Sequence, residues 1–292
     1  MPMTLESLLP IVVFLMMAIV GADISVTQMK ASLSRRLALA GGTLGQLVLL
    51  PVLAVVLIWL LQPDPVLSVG LLLVAVSPGG VLSNYYCSLA HLNVAFSIAL
   101  TTVSAVVALA AMPLLFAAVV PAALGVEAFG VPVGAMTARL LLFLLLPVAV
   151  GMTLRHLFPA AIARGRRVVR VFGFGLLAVF LALVFFDQRH AVAALFGEAV
   201  VLTLSFTLLA LLAGWLSGRM LKLDRSDRAV LAIEFSVRNA GIAGLLAVMT
   251  LQQPEFVVFS AFFVLLQAPV LLIAVMLRRR IMGSPDPGPR VG

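Results

Sequence analysis

Two ionisable residues lie deep inside apolar sequence, Glu234 and Arg238, in the stretch EFSVRNAG (Glu234 to Gly241). At 1.5 Å per helical residue, counted from about residue 227, they sit ~10 Å and ~16 Å into a membrane-spanning helix. An ionised side chain at such depth costs ~2.5–3.5 kcal/mol on the insertion scale, so neither is expected to face lipid. Spaced four apart, they can point the same way. Mutual neutralisation as a buried ion pair explains why both are tolerated. It does not explain why both are present, because two apolar residues would cost less. The functional reading makes Glu234 a cation ligand or proton carrier and sets Arg238 beside a substrate anion.

A hydroxyl and amide set is the second chemical feature. Ser83 and Asn84 fall in SPGGVLSNYY (Ser77 to Tyr86), where Pro78, Gly79 and Gly80 interrupt an apolar run. Ser97 and Thr101 are four apart, hence on one helical face, and Gln46 precedes Pro51 by five residues. Hard cations take oxygen ligands, and sodium suits several neutral oxygens with one carboxylate. Alone, serines and threonines in membrane helices also serve packing and helix–helix hydrogen bonds. The set therefore matters only where it converges with Glu234. Tyr85 and Tyr86, the chain's two tyrosines, adjoin the same break and suit cavity lining and plain packing equally.

The elements that must position these residues follow from composition. Of 292 residues, 63% are hydrophobic and 10% charged, with a mean hydropathy of +1.24. Soluble chains are about 25% charged. A soluble enzyme, a secreted disulfide scaffold and a disordered chain are thereby excluded. One cysteine, Cys87, rules out an intrachain disulfide, and His91, His156 and His190 are too scattered to suggest a ligand cluster.

Membrane helices need ~20 mostly apolar residues. The sequence predicts nine: about 6–24, 37–61, 66–90, 93–121, 134–157, 168–186, 192–221, 227–251 and 255–279. Long continuous runs argue for an all-α polytopic protein rather than a β-barrel. The first run carries Glu6 and no basic leader, and reads as a retained helix rather than a signal peptide. Residues 283–292 read as a disordered tail.

Sixteen of 19 basic residues fall on one face of this topology, in loops holding Lys30, Arg35 and Arg36, then Arg155 to Arg170, then Arg219 to Arg228, and in the tail. The opposite face carries Glu6, Asp64, Glu127, Asp187 and Glu255. The positive-inside rule then puts the N-terminus outside and the C-terminus in the cytoplasm of a cell-membrane protein. The net charge of +8 fixes topology and meets anionic headgroups, and implies no nucleic acid. Arg139 and Glu198 lie near outer helix ends and can snorkel.

Both interrupted spans have the same sequel. Asn84 precedes Pro113 by 29 residues and Asn239 precedes Pro269 by 30. The two units would run antiparallel, as in inverted-repeat transporters. Unwound backbone at membrane depth is tolerated only where it is buried in protein or lines a cavity. A proline kink without a ligand could explain one break, but two at matching places argue for a site.

At these residues the chain resembles the bile acid:sodium symporter family. PGGVLSN, with LAHLNVAFSIALTTVS after it, is similar to that family's PGG-x-x-SN run and its Ser/Thr-bearing helix, and IEFSVRNAG is similar to its E-x-x-x-QN-[SAG]-G stretch. The resemblance spans most of the chain. It implies a transporter domain over 1–282 with two broken helices crossing in a core (about 37–121 and 192–279) beside a panel (about 6–24 and 134–186). Ten-helix members carry one more N-terminal helix.

Carried over, a first sodium site falls on Ser83, Asn84, Ser97, Thr101 and Glu234, each of the residue type the pattern asks for. A second falls on Gln46 and the backbone from Glu234 through Phe235 to Val237, where the family's glutamine is replaced by Arg238. A guanidinium there would repel sodium by several kcal/mol at low local dielectric, so one coupled sodium with Arg238 as a tethered charge is expected. Substrate would contact Asn84, Arg238, Asn239, which matches a substrate-facing asparagine, and Val81, where the pattern tends to threonine.

The implied function is sodium-coupled import of an organic anion by alternating access, with no cofactor besides the coupling ion. A proton-coupled or uncoupled transporter of the same fold is the first rival, with Arg238 replacing the second sodium. An intramembrane enzyme or receptor is the remote one. No Ser–His, Asp–Asp or metal-spaced motif supports it. Substrate identity, sodium stoichiometry and oligomeric state are open at this level.

Overall fold

The computed structural model describes residues 5–24, 36–124 and 130–282, and every regular element in it is helical. The expected tail, together with Lys30, Arg35, Glu127 and Arg290, lies outside the described residues. We number the helices α1 (Leu5–Asp23), α2 (Arg36–Leu61), α3 (Pro65–Val76), α4 (Leu82–Leu89), α5 (Val94–Leu124), α6 (Val133–Leu157), α7 (Pro159–Asp187), α8 (Arg189–Met220), α9 (Arg225–Ser236), α10 (Ala240–Met249) and α11 (Val257–Met282). Among the described residues, seven helical segments are long and apolar enough to cross a membrane. The runs at 66–90 and 227–251 are instead each divided into two short helices, α3 with α4 and α9 with α10.

The same devices recur in the same order around both divided runs. α2 gives way to Gln62 at φ 46°, and α8 to Lys222 at φ 54°. Two residues later an aspartate caps the next helix: Asp64 accepts from the Val66 N–H and Asp224 from the Asp227 N–H, each at 2.8 Å. The helices so capped, α3 and α9, are each 12 residues long. After each break the short helix is followed by a left-handed residue, His91 at φ 51° or Gln252 at φ 55°. The long helices that come next carry Pro113 and Pro269.

α1 lies along α6 and α7, while α8 packs on α2, α9 and α11, and α5 on α2 and α3. The α1–α6 contact depends on small residues, as helix pairs in lipid do. A Cβ on Gly151 would run into the Ala18 carbonyl, and one on Gly21 into the Val148 carbonyl. α6 contains a π-helical stretch, Leu141–Leu145, just before Pro147. Proline has no N–H to offer the preceding turn and its ring crowds the carbonyl there, so the turn widens. Glu198 is exposed, and its Oε2 accepts from the Asp64 N–H at 2.8 Å, joining α8 to the start of α3.

Because backbone atoms face both glycines, Gly151→Val should destabilise the protein by about 3 kcal/mol or more. Thermal unfolding in detergent measures this. Gly175→Ala, which meets open space inside a helix, should leave the midpoint unchanged or raise it slightly.

Candidate functional site at the helix crossing

The two breaks meet. Gly79 and Arg238 form an isolated antiparallel bridge, in which the Gly80 N–H donates to the Val237 carbonyl and the Asn239 N–H to the Pro78 carbonyl, both at 2.9 Å. Buried amides that leave a helix need such partners, and here each break supplies the other's. The Gly79 N–H donates to Ser104 Oγ at 3.1 Å. Glycine is required at this point for approach. A Cβ on Gly80 would lie 2.7 Å from the Arg238 carbonyl, and one on Gly79 3.0 Å from Glu234 Oε2.

Glu234, on the last turn of α9, is fully buried. Ser83 donates to its Oε1 at 2.5 Å, Ser97 donates to the same oxygen, and Thr101 reaches both carboxylate oxygens at 3.1 Å. Ser97 Oγ also lies 2.8 Å from Asn84 Oδ1, and Ser83 Oγ 3.4 Å from Thr101 Oγ1. The structure thus brings Ser83 and Asn84 of α4, Ser97 and Thr101 of α5, and Glu234 of α9 to one point.

Hydrogens are scarcer here than lone pairs. Each hydroxyl has one proton, yet Ser97 faces two acceptors. Thr101 faces the carboxylate and the Ser97 carbonyl, 3.0 Å away. Six side-chain oxygens with one formal negative charge fit a hard univalent cation in type and charge. Among the described residues no group of three or more His, Cys, Asp or Glu could hold a transition metal.

Arg238 belongs to a separate set of partners. Its guanidinium donates to Gln46 Oε1 at 2.7 Å and to the Ser77 carbonyl, while Nε has no partner. Arg238 and Gln46 are both buried. The hydrogen bonds of Glu234 and Arg238 therefore do not run to each other, although both residues sit at one break. Of the other residues expected beside a second cation, Phe235 is buried and the Val237 carbonyl accepts from Gly80.

A cavity of about 590 Å³ reaches the crossing. Its inner end includes all four residues expected beside a substrate, Val81, Asn84, Arg238 and Asn239, and its lining extends to Asp23, Leu89 and Ile162. Asn239 caps α10, its Oδ1 accepting from the Ile242 N–H at 3.1 Å, and its amide nitrogen lies 3.2 Å from Met17 Sδ, a weak acceptor. The N-termini of α4 and α10 both adjoin this end, and such termini favour anions. Tyr85 also lines the cavity and meets Phe174 of α7 edge-on at 5.7 Å. An apolar pocket of about 200 Å³ beside it shares Val81 and Asn239.

Three contributors were missed in the sequence. Gln267 lines the larger cavity, is 1% exposed, and has neither amide atom partnered. A lone amide in an apolar helix two residues before Pro269 was its signal. Ser104 reads as one more hydroxyl of α5. Ser77 takes part through its carbonyl, which no side-chain pattern can flag.

Residues 10–195 match the sequence family described as the sodium bile acid symporter family. The chain is 28% identical over 254 residues to the P3 protein of Homo sapiens, which covers 85% of this chain and 52% of that protein. It is 27% identical over 211 residues to the uncharacterized sodium-dependent transporter YocS of Bacillus subtilis, covering 70% and 63%. To the probable sodium/metabolite cotransporter BASS1, chloroplastic, of Arabidopsis thaliana it is 26% identical over 234 residues, covering 80% and 57%. The chain spans roughly half to three-fifths of the length of these relatives.

Gln46→Leu should lower the stability of the folded chain by about 1.5–3 kcal/mol, because it strips an acceptor from a buried charged donor. Thr43→Val, at a buried hydroxyl without a partner, should leave stability unchanged or raise it. Unfolding in detergent compares the two.

Proposed function

The chain belongs to the sodium bile acid symporter family, a family of transporters and not of enzymes, and from that footing we propose that it imports an organic anion together with one sodium ion by alternating access. The observation that carries this reading is the five-residue oxygen cluster around Glu234, which has more acceptors than protons. Sodium there would satisfy the surplus lone pairs and neutralise the carboxylate. It would also tie α4, α5 and α9 together, because each contributes ligands.

The recurring devices around the two divided runs support an inverted repeat. One unit is α2 to α5 and the other α8 to α11, which gives nine spans when each divided run is counted once. On this reading α1, α6 and α7 form a panel and the remaining helices a core, with the basic loops and the C-terminus in the cytoplasm and the N-terminus outside. The large cavity then opens to the cytoplasm, since Asp23, Leu89 and Ile162 lie at cytoplasmic helix ends.

Substrate sits at the inner end of the cavity. An anionic head group faces the N-termini of α4 and α10, with Val81, Asn84 and Asn239 around it. The Asn239 amide exchanges its thioether for a better acceptor, and Gln267 gains a partner. Sodium at Glu234 fixes the position of α4, so cation and anion favour the same arrangement of the crossing and their binding is coupled. Rocking of the core against the panel would change access.

Proteoliposomes loaded without sodium test the reading, with labelled taurocholate, pantoate and pyruvate as probes. We expect at least one to accumulate when sodium is added outside, and Glu234→Gln to cut that stimulation tenfold or more. Accumulation that follows a pH gradient and ignores sodium would assign coupling to protons instead, and no accumulation of any probe would count against carriage of these anion classes.

A further inference from the structure

The residues expected to hold a second sodium do not fit one, because a tethered cation already stands among them. The Arg238 guanidinium is 3% exposed and donates to Gln46 Oε1 of α2 and to the Ser77 carbonyl. Ser77 is the C-cap of α3, its own N–H turned back to Leu73 and Val74, so its carbonyl belongs to the negative end of a half-helix. An amide oxygen and a carbonyl at a helix C-terminus are what a cation seeks. These oxygens come from two different helices, and Arg238 itself lies at the break after α9.

We propose that Arg238 is a resident second cation, which makes this chain a one-sodium transporter whose α2–crossing contact persists without sodium. The proposal rests on the sodium reading of the Glu234 cluster. A mobile ion in this cradle would join α2 to the crossing only while bound. A side-chain cation joins them at every stage of the cycle, so the ion gradient acts on the Glu234 cluster alone.

Charge arithmetic follows. Glu234 and Arg238 sum to zero, one sodium raises the centre to +1, and a univalent anion returns it to zero. The tethered charge comes back with the protein in each cycle. Net movement of charge per cycle is then nil for a univalent substrate. With glutamine at 238 the unliganded centre carries −1 and can accept two cations before the anion.

Equilibrium binding of ²²Na⁺ to the purified full chain tests this without any organic substrate. Wild type should bind one sodium per chain with a Hill slope near one, and Glu234→Gln none. Arg238→Gln should bind two, with a slope above one, and its unfolding midpoint should rise more steeply with sodium than that of wild type. Arg238→Lys, which keeps a tethered charge, should bind one. Two sodium ions on wild type, or one on folded Arg238→Gln, would overturn the proposal; if Arg238→Gln does not fold, the wild-type count decides alone. Wild type that binds no sodium would instead remove the proposed function on which the inference rests.

Discussion

Backbone that leaves a helix inside hydrocarbon has no water to bond with, and each unsatisfied group costs several kcal/mol. The chain breaks two helices at one place, and each break satisfies the other: Gly80 donates to Val237 and Asn239 to Pro78. Everything chemical at the centre depends on that exchange. It requires Gly80, where a Cβ would meet the Arg238 carbonyl. It brings two half-helix N-termini to the end of a cavity, and it holds Glu234 and Arg238 at the crossing.

Two charges at one crossing could simply have cancelled by contact. Instead each has a set of partners of its own. The carboxylate collects hydroxyls from Ser83, Ser97 and Thr101, and the guanidinium collects oxygens from Gln46 and Ser77. Replacing both by apolar residues would be cheaper for folding alone. Separate solvation makes sense where one charge is held for an ion that comes and goes while the other stays, and where three helices must be locked by the mobile one. On the proposed reading, the shortage of protons around Glu234 leaves lone pairs that an arriving cation would satisfy.

Much of this was legible in the sequence, for physical reasons specific to membranes. Apolar runs longer than a bilayer is thick mark the spans, and PGG amid such a run marks a break. Glu234 and Arg238 stand out because ionised groups are expensive at that depth. Convergence was a different matter. Ser97 and Thr101 share a face by spacing, but that Ser83, 151 residues before Glu234, meets it was implied only by family resemblance. Arg238 carried the opposite ambiguity: its type was plain, whereas its choice of Gln46 and Ser77 over Glu234 depends on how the two breaks cross. Gln267 was hidden by its company, since a single amide in an apolar helix looks the same whether it faces a neighbour or a cavity.

The central claim is that the Glu234 cluster takes one univalent cation and the Gln46–Ser77 cradle takes none. Anomalous diffraction from crystals grown with thallium(I), an electron-dense stand-in for a univalent cation, reads both places at once. The account predicts one peak, among Ser83, Asn84, Ser97, Thr101 and Glu234, and no peak beside Gln46. A peak between Gln46 and Ser77 with the Arg238 side chain turned away, or an empty Glu234 cluster at saturating thallium, would contradict it.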